Sequence, residues 1–306
     1  CIYTYKGLPY GATTAGAGRF RPPAPPPPWT GIRDCLVYGP ICPQQTNTGW
    51  LMEEYGFLYQ WVDGFQSEDC LRLNIWTTGI NDGRRKPVLV WLHGGGFVSG
   101  SSQEHPSYDW EALSRLGDVV VVSINHRLNI FGFLALSDFD PRSAGSGNTG
   151  MLDIVAALEW VRDNIASFGG DKDNVTIFGQ SGGGTKVTTL MAMPAAKGLF
   201  HKAISQSNSI VQVATHAYAT HLAGHVLDHL QISHNNIAAL NDIPVPQLVA
   251  AYKAAEKKMG GAVPPDVGRS GFQPVVDGAV LPFHPFDPGA PAISAGVPFM
   301  VGSNRN

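Results

Sequence analysis

Continuous apolar runs alternate with an amphipathic segment in the middle of the chain. Residues 88–92, 119–124 and 175–178 are runs of mainly β-branched apolar residues, the pattern of parallel strands that are buried on both faces. Between the last two runs, apolar residues recur at steps of 4, 3, 4 and 3 over 154–168, which predicts an amphipathic helix that ends at the glycines 169–170. Strands and helices in alternation predict a mostly parallel central sheet with flanking helices, the α/β class.

Shorter patterns extend this organisation toward both termini. We predict further helices at 109–116 and 182–193 and a strand at 203–205, while residues 1–6 have strand character. The chain 1–306 is therefore interpreted as one α/β domain with four regions: a loop-rich N-terminal region (1–85), a core (86–210), a helical cap-like region (211–296) and a core strand (297–302).

A core strand at 297–302 stands four residues from the last residue, so one of its flanks has little chain to pack against it. We therefore expect the chain to be the N-terminal part of an incomplete domain. The proline-rich stretch 21–29 is interpreted as a rigid surface connector, in preference to a polyproline ligand for a partner domain.

Composition narrows the function classes. The 306 residues are 43% hydrophobic and 15% charged, with a net charge of −3. This composition supports a sizeable core, and the absence of a basic stripe argues against a nucleic-acid partner. No apolar run approaches the ~20 residues that a membrane-spanning helix needs, so no membrane span is expected.

The first motif that carries chemistry is Gly179-Gln180-Ser181-Gly182-Gly183. It matches G-x-S-x-G, and it stands between a predicted strand and a predicted helix, as a nucleophile elbow requires. A sharp strand-to-helix turn leaves no room for side chains on either side of the serine, which explains the glycines. We predict Ser181 as a nucleophile, with the Gly182 N–H directed at the position of an oxyanion.

The second motif, His93-Gly94-Gly95-Gly96-Phe97, directly follows the predicted strand 88–92. Consecutive glycines allow backbone N–H groups to face a cavity without obstruction by side chains, as in the H-G-G-G oxyanion loop of esterases. Either motif alone could be an ordinary glycine turn. Together, each at a strand end and in the expected order, they predict acyl-transfer chemistry.

Several further segments, with these two motifs, resemble the type-B carboxylesterases, the family that includes cholinesterases and bacterial para-nitrobenzyl esterases. The resemblance runs over nearly the whole chain and includes residues 6–10, 19–20, 67–74, 125–128, 147–153 and 274–278. It implies an α/β-hydrolase fold, oxyanion donors at Gly95, Gly96 and Gly182, and the ion pairs Arg19–Glu68 and Arg127–Asp153. Gln180 replaces a glutamate that many members carry, which argues against selectivity for cationic substrates.

The resemblance implies hydrolysis of carboxylic esters through an acyl-enzyme intermediate, without metal or organic cofactor. A serine needs a base, and the base needs an acid. In the family the acid follows the strand that corresponds to 297–302 and the histidine comes later, so we expect a segment beyond residue 306 to supply both. The pair Asp277 and His284 is a disfavoured substitute, and His93 is expected to orient the oxyanion loop.

Other functions remain open from the sequence. Members of the family that lost the serine act in adhesion or as scaffolds, but Ser181 and both glycine loops are present. An amidase, carbamate hydrolase or lactonase could use the same site on a small-molecule substrate. The histidines at 221, 225 and 229 have helical spacing that could hold a metal, yet no H-E-x-x-H motif accompanies them, and a solvated helix face is the preferred interpretation.

The four cysteines allow three full pairings. The resemblance favours a Cys42–Cys70 disulfide that closes a long loop, in which the aromatic residues 50, 55, 61 and 65 are candidates for a substrate entrance. Cys1 and Cys35 could pair or remain free. A loop disulfide would indicate a secreted or periplasmic protein, and the alternative is four reduced thiols in a cytosolic enzyme.

Overall fold

The architecture comes from a computed structural model, which describes residues 1–45, 64–208, 210–260 and 267–305. The strands are β1 (Tyr3–Pro9), β2 (Arg72–Thr77), β3 (Lys86–Leu92), β4 (Val120–Ile124), β5 (Gly170–Gln180), β6 (Lys202–Gln206), β7 (Ala214–Thr215), β8 (Val275–Val276) and β9 (Phe299–Gly302). The α-helices are α1 (Glu111–Gly117), α2 (Asn129–Phe133), α3 (Thr149–Asn164), α4 (Gly182–Ala192), α5 (His216–His229) and α6 (Val245–Lys258).

Within the described residues, seven strands form the central sheet, in the order β1-β2-β4-β3-β5-β6-β9. The five strands from β4 to β9 are mutually parallel, and β2 runs antiparallel to both of its neighbours. All residues of β4 are buried, as the continuous apolar run predicted. The predicted α/β class with a mostly parallel sheet is confirmed.

Strand β2 was missed by the sequence analysis, which assigned its residues to the loop-rich N-terminal region. Its polar residues interrupt the apolar run that is typical of a buried strand. They are nevertheless buried, because side chains such as that of Asn74 are hydrogen-bonded inside the protein. The Asn74 side chain donates to the hydroxyls of Ser102 and Ser123, and it accepts the N–H of Gly7 at 2.9 Å. Polar residues whose hydrogen bonds are satisfied in this way can be buried at little cost.

The region predicted to be a helical cap is helical over part of its length. Helices α5 and α6 pack against each other, with Leu222, Val226 and Leu248 buried between or beneath them. The described residues from 267 to 296 form loops, the two-residue strand β8 and one short 3-10 turn. No helix in the described part of the chain is long and apolar enough to cross a membrane.

The expected Cys42–Cys70 disulfide is wrong for this structure, in which all four cysteines are free thiols. Cys42 and Cys70 are both buried, and the Cys42 thiol donates to Pro43 O at 3.7 Å. The Cys42 sulfur also accepts the N–H of Leu128 at 3.2 Å. The secreted or periplasmic location rested on that disulfide and stays a prediction. Of the aromatic residues in this loop, Phe65 is exposed, and those at 50, 55 and 61 lie outside the described residues.

Two buried ion pairs tie loops to the core, and both were predicted. Arg127 donates from Nη2 and Nε to the two oxygens of Asp153 at 2.6 and 2.8 Å, and its N–H adds a third bond at 3.0 Å. Arg19 makes a similar pair with Glu68. Since Asp153 is fully buried, removal of either charge would leave the other without its partner in a poorly solvated position.

We predict that Asp153→Asn lowers the free energy of unfolding by about 3–5 kcal/mol, because Arg127 would keep an uncompensated buried charge. The matched control is Asp163→Asn on the same helix, whose pair with Arg162 is solvent-exposed and contributes about 0–1 kcal/mol. Urea denaturation of the expressed protein measures both. Equal effects of the two substitutions would contradict the prediction.

Candidate active site

The two glycine motifs meet at the carboxyl edge of the sheet because β3 and β5 are adjacent parallel strands. Leu92, the last residue of β3, is the register partner of Gly179 near the end of β5. The loop 93–97 and the turn 180–182 therefore leave the sheet side by side. In an α/β sheet this edge is where ligands bind.

Ser181 occupies the turn between β5 and α4 with φ 56° and ψ −121°. This left-handed φ is costly for a residue with a side chain, and such strain is characteristic of functional turns. The conformation is held by hydrogen bonds on both sides: the Ser181 N–H donates to Gln206 O at 2.9 Å, and its carbonyl accepts the Thr185 N–H at 3.1 Å. Ser181 is exposed in the described structure.

Three glycines around Ser181 stand where a methyl group would collide with backbone. A Cβ on Gly183 would lie 2.1 Å from Leu92 O, and one on Gly179 would lie 2.7 Å from the same atom. A Cβ on Gly182 would lie 2.5 Å from the nitrogen of Gly96. The elbow and the oxyanion loop are thus in direct backbone contact, which brings the Gly96 N–H next to Gly182.

The N–H groups of Gly95, Gly96 and Gly182 are available as donors. Gly95 and Gly96 adopt positive φ angles of 81° and 58°, and Gly182 is the first residue of α4, where N–H groups lack an intrahelical acceptor. Within the described ranges, none of the three N–H groups donates a hydrogen bond to the protein. Their assignment as oxyanion donors stays a prediction that this geometry permits.

A cavity of about 90 Å³ opens beside Ser181. Its lining consists of backbone and side chains from both glycine loops and the segments that follow β6 and α6: Gly96, Phe97, Ser181, Gly182, Thr185, Ser207, Asn208, Ile210 and Arg269. The lining includes no histidine and no carboxylate from the described residues, and Arg269 donates to Gly96 O.

The pair Asp277 and His284 has other partners. The Asp277 carboxylate accepts the N–H groups of Ala279 and Leu281 and the side-chain amide of Asn148. His284 accepts the N–H of Val213 at 3.1 Å. Both side chains therefore organise loops away from the lining of the cavity, which agrees with the sequence-based preference against them as acid and base.

Behind the oxyanion loop lies a buried group of titratable side chains. The rings of His93 and His126 stack at 5.0 Å, and His93 Nδ1 is 3.0 Å from Gly94 O. Burial, with the nearby charge of Lys186, holds the pKa of both histidines well below the usual value, so both rings are neutral at pH 7. His93 therefore contacts the next residue of the oxyanion loop, and its orienting role stays a prediction. Gln180 is an exposed residue at the end of β5.

The three histidines of α5 do not converge on a site. The rings of His221 and His225 lie 4.5 Å apart, and His225 approaches Asp228 at 3.9 Å. No group of three or more potential ligands in the described ranges could hold a metal ion.

We predict that Gly183→Ala disrupts the elbow, because the added methyl group would overlap Leu92 O and force the loops apart at a cost of about 1–3 kcal/mol or more. The matched control is Gly224→Ala in helix α5, where the nearest atom to the new Cβ is 3.8 Å away and where alanine gains about 1 kcal/mol of helix propensity. Thermal unfolding measures the stability of each variant, and active-site labelling measures the reactivity of its Ser181. A Gly183→Ala protein as stable and as reactive as the unsubstituted protein would contradict this packing.

Comparison with known proteins places the chain among carboxylesterases and related hydrolases by similarity. The model of the carboxylesterase family matches residues 1–306. The chain is 39% identical to a para-nitrobenzyl esterase of Bacillus subtilis, with 100% of the chain and 59% of the relative covered. It is 36% identical to a phenmedipham hydrolase of Pseudarthrobacter oxydans, covering 100% of the chain and 58% of the relative.

Solved structures agree. An esterase from anaerobic Clostridium hathewayi that can hydrolyse aliphatic aromatic polyesters superimposes with a TM-score of 0.88 at 40% identity, covering 99% of this chain and 58% of that one. A thermophilic para-nitrobenzyl esterase gives 0.88 at 38% identity, covering 99% and 60%. The chain spans less than two thirds of the length of these relatives. With both glycine motifs on an α/β-hydrolase sheet, the protein belongs to the carboxylesterase family.

Proposed function

We propose that this protein hydrolyses carboxylic esters of small molecules, with Ser181 as the nucleophile. The observation that carries the proposal is the backbone contact between the elbow and the oxyanion loop. The two loops in contact carry an exposed serine and three N–H groups that have no acceptor among the described residues, which supports the proposal. That arrangement suits a reaction in which negative charge develops on a carbonyl oxygen.

The proposed reaction has two halves. Ser181 Oγ attacks the ester carbonyl carbon while a base takes its proton, and the oxyanion receives hydrogen bonds from Gly95, Gly96 and Gly182. The C–O bond to the alcohol then breaks, the alcohol leaves with the proton, and an acyl-enzyme remains. Water attacks the acyl group by the same route, and the carboxylic acid leaves.

We further propose that the histidine base and its acid come from a segment beyond residue 306. Two observations support this: the described residues that line the Ser181 cavity include neither residue type, and the relatives are longer than this chain. The retained serine also favours catalysis over an adhesion or scaffold role, while an amidase or carbamate hydrolase would use the same serine and differ only in the substrate.

We predict that a fluorophosphonate probe labels the longer protein, that Ser181→Ala abolishes the labelling, and that turnover of a short-chain p-nitrophenyl ester falls by about 10⁴-fold or more. The probe reports the nucleophile directly, because its phosphorus bonds to the activated oxygen as fluoride leaves. Ser107→Ala, at an exposed serine, is the control and should keep both activities. Labelling that survives Ser181→Ala would refute the assignment of the nucleophile.

We also predict that residues 1–306 expressed alone do not turn over the ester, because no base activates Ser181. Adding the remaining segment in trans, or expressing the longer chain, should restore turnover. The same pair of preparations with Ser181→Ala gives the background. Turnover by the isolated 306-residue chain that disappears in its Ser181→Ala variant would show that the described residues contain a sufficient base.

A further inference from the structure

Lys186 is a buried lysine in the second turn of α4, five residues after Ser181. Its side chain has no exposure to solvent. An ammonium group is costly to bury unless good hydrogen bonds compensate for the water that it loses. The contacts of its nitrogen should therefore show why a lysine occupies this position.

The nitrogen contacts the back of the oxyanion loop. Lys186 Nζ donates to His93 O at 2.7 Å and approaches Gly94 O at 3.4 Å. It lies 5.7 Å from the centre of the Phe97 ring, and within the described residues it forms no ion pair. All of its hydrogen bonds therefore go to the two peptide groups that precede Gly95.

The Gly94 carbonyl determines where the Gly95 N–H points, and the His93 carbonyl belongs to the peptide before it. In a trans peptide the C=O and the N–H lie in one plane and point in opposite directions. The carbonyl of Gly94 and the N–H of Gly95 belong to the same peptide, so a donor that holds the carbonyl on the buried side directs the N–H to the other side.

The neighbouring peptide is held differently. The carbonyl of Gly95, which shares a peptide with the Gly96 N–H, accepts the N–H groups of Val98 and Ser99 at 3.1 and 3.2 Å. That peptide is fixed by the backbone of its own turn. The Gly94 carbonyl has only side-chain partners in the described structure, namely Lys186 Nζ and His93 Nδ1. The Ser99 hydroxyl also approaches Gly95 O at 3.4 Å. The peptide of the Gly95 N–H is thus held by side chains alone, whereas that of the Gly96 N–H also has two backbone hydrogen bonds.

We propose that Lys186 is a positioning residue of the esterase, which holds the 93–95 peptides from the buried side so that the Gly95 N–H faces the oxyanion. The inference rests on the proposed function, since it needs Ser181 and the oxyanion loop to act as assigned. A hydrogen bond to the carbonyl also polarises the peptide, which strengthens the hydrogen bond from its N–H to a developing negative charge.

The electrostatics fit this role. Burial lowers the pKa of Lys186 to about 7, and the partly exposed carboxylate of Glu104 opposes that shift. An apolar side chain of similar size would fill the site without this desolvation penalty. The fold therefore keeps a costly group at the one place where it contacts the oxyanion loop.

The test compares transition-state and ground-state binding in the longer, active protein. In Lys186→Met the chain keeps its volume and loses the donor. We expect kcat/KM for a p-nitrophenyl ester to fall by about 10–100-fold, because one oxyanion donor is misdirected. The affinity for a trifluoromethyl ketone, which forms an oxyanion on Ser181, should fall by the same factor. The affinity for the corresponding methyl ketone, which binds without forming the oxyanion, should change by less than about 3-fold.

Lys186→Gln is the second variant. Its neutral amide keeps a donor near His93 O, so we expect a loss of kcat/KM smaller than that in Lys186→Met. This variant also keeps the test available if the methionine variant is unstable. The structural control is Thr189→Val, on the same helix and equally buried, which removes a 2.7 Å bond to Thr185 O without touching the oxyanion loop. Its kcat/KM should stay within about 3-fold of the unsubstituted value.

The outcomes distinguish the positioning role of Lys186 from the proposed ester hydrolysis by Ser181. Unchanged kcat/KM and unchanged trifluoromethyl ketone affinity in Lys186→Met would overturn the positioning role, as would an equal fall for the methyl ketone or for Thr189→Val. Loss of the folded state in both Lys186 variants would assign the lysine to core stability and would overturn it too. Absence of ester hydrolysis in the unsubstituted protein, or hydrolysis that persists in Ser181→Ala, would overturn the proposed function itself.

Discussion

The site depends on a backbone contact that tolerates no side chain. The elbow after β5 and the loop after β3 touch through Gly182 and Gly96, while Gly179 and Gly183 pack on the carbonyl of Leu92. The contact exists because β3 and β5 are adjacent in the sheet and end in register. Sheet topology and glycine placement together therefore bring a strained serine within reach of the oxyanion loop.

Each surrounding interaction holds one part of this contact in place. The buried Arg127–Asp153 pair anchors the segment after β4, and two residues later the Asn129 N–H donates to Phe97 O at 2.7 Å. Phe97 immediately follows the oxyanion glycines. Val98 and Ser99 fix one of the peptides and Lys186 contacts the other, so the loop is held along its length. Such preorganisation lets backbone dipoles stabilise charge without reorganising during the reaction.

The fold could be predicted from the sequence to a large extent, because buried parallel strands form continuous apolar runs and the intervening helix has an unbroken period. Helix α3 ends as predicted: it is α-helical to Asn164, continues as a 3-10 turn over Ile165–Phe168, and stops at Gly169 with φ 77°. Strand β2 escaped prediction because Asn74 gains its partners from Gly7, Ser102 and Ser123, which are all on other segments. Satisfaction of a buried polar residue by distant partners leaves no local pattern.

In the site, as in the fold, local sequence motifs were predictable and contacts with distant residues were not. Ser181 and the glycine loops stand in short local motifs, so residue order alone identified them as candidates. The role of Lys186 depends on the direction of a side chain across the helix–sheet boundary, which spacing does not specify. The cysteine pairing failed for a related reason: Cys42 and Cys70 are neighbours as the resemblance implied, but proximity of two thiols does not establish a covalent bond.

The central claim is that Ser181 reacts while the glycine N–H groups bind the developing oxyanion. A crystal structure of this chain together with the proposed downstream segment, after reaction with a fluorophosphonate, tests it most directly. We expect phosphorus bonded to Ser181 Oγ and a phosphonyl oxygen about 2.7–3.1 Å from the nitrogens of Gly95, Gly96 and Gly182. Phosphorus on another residue, or a phosphonyl oxygen that points away from these three nitrogens, would contradict the account.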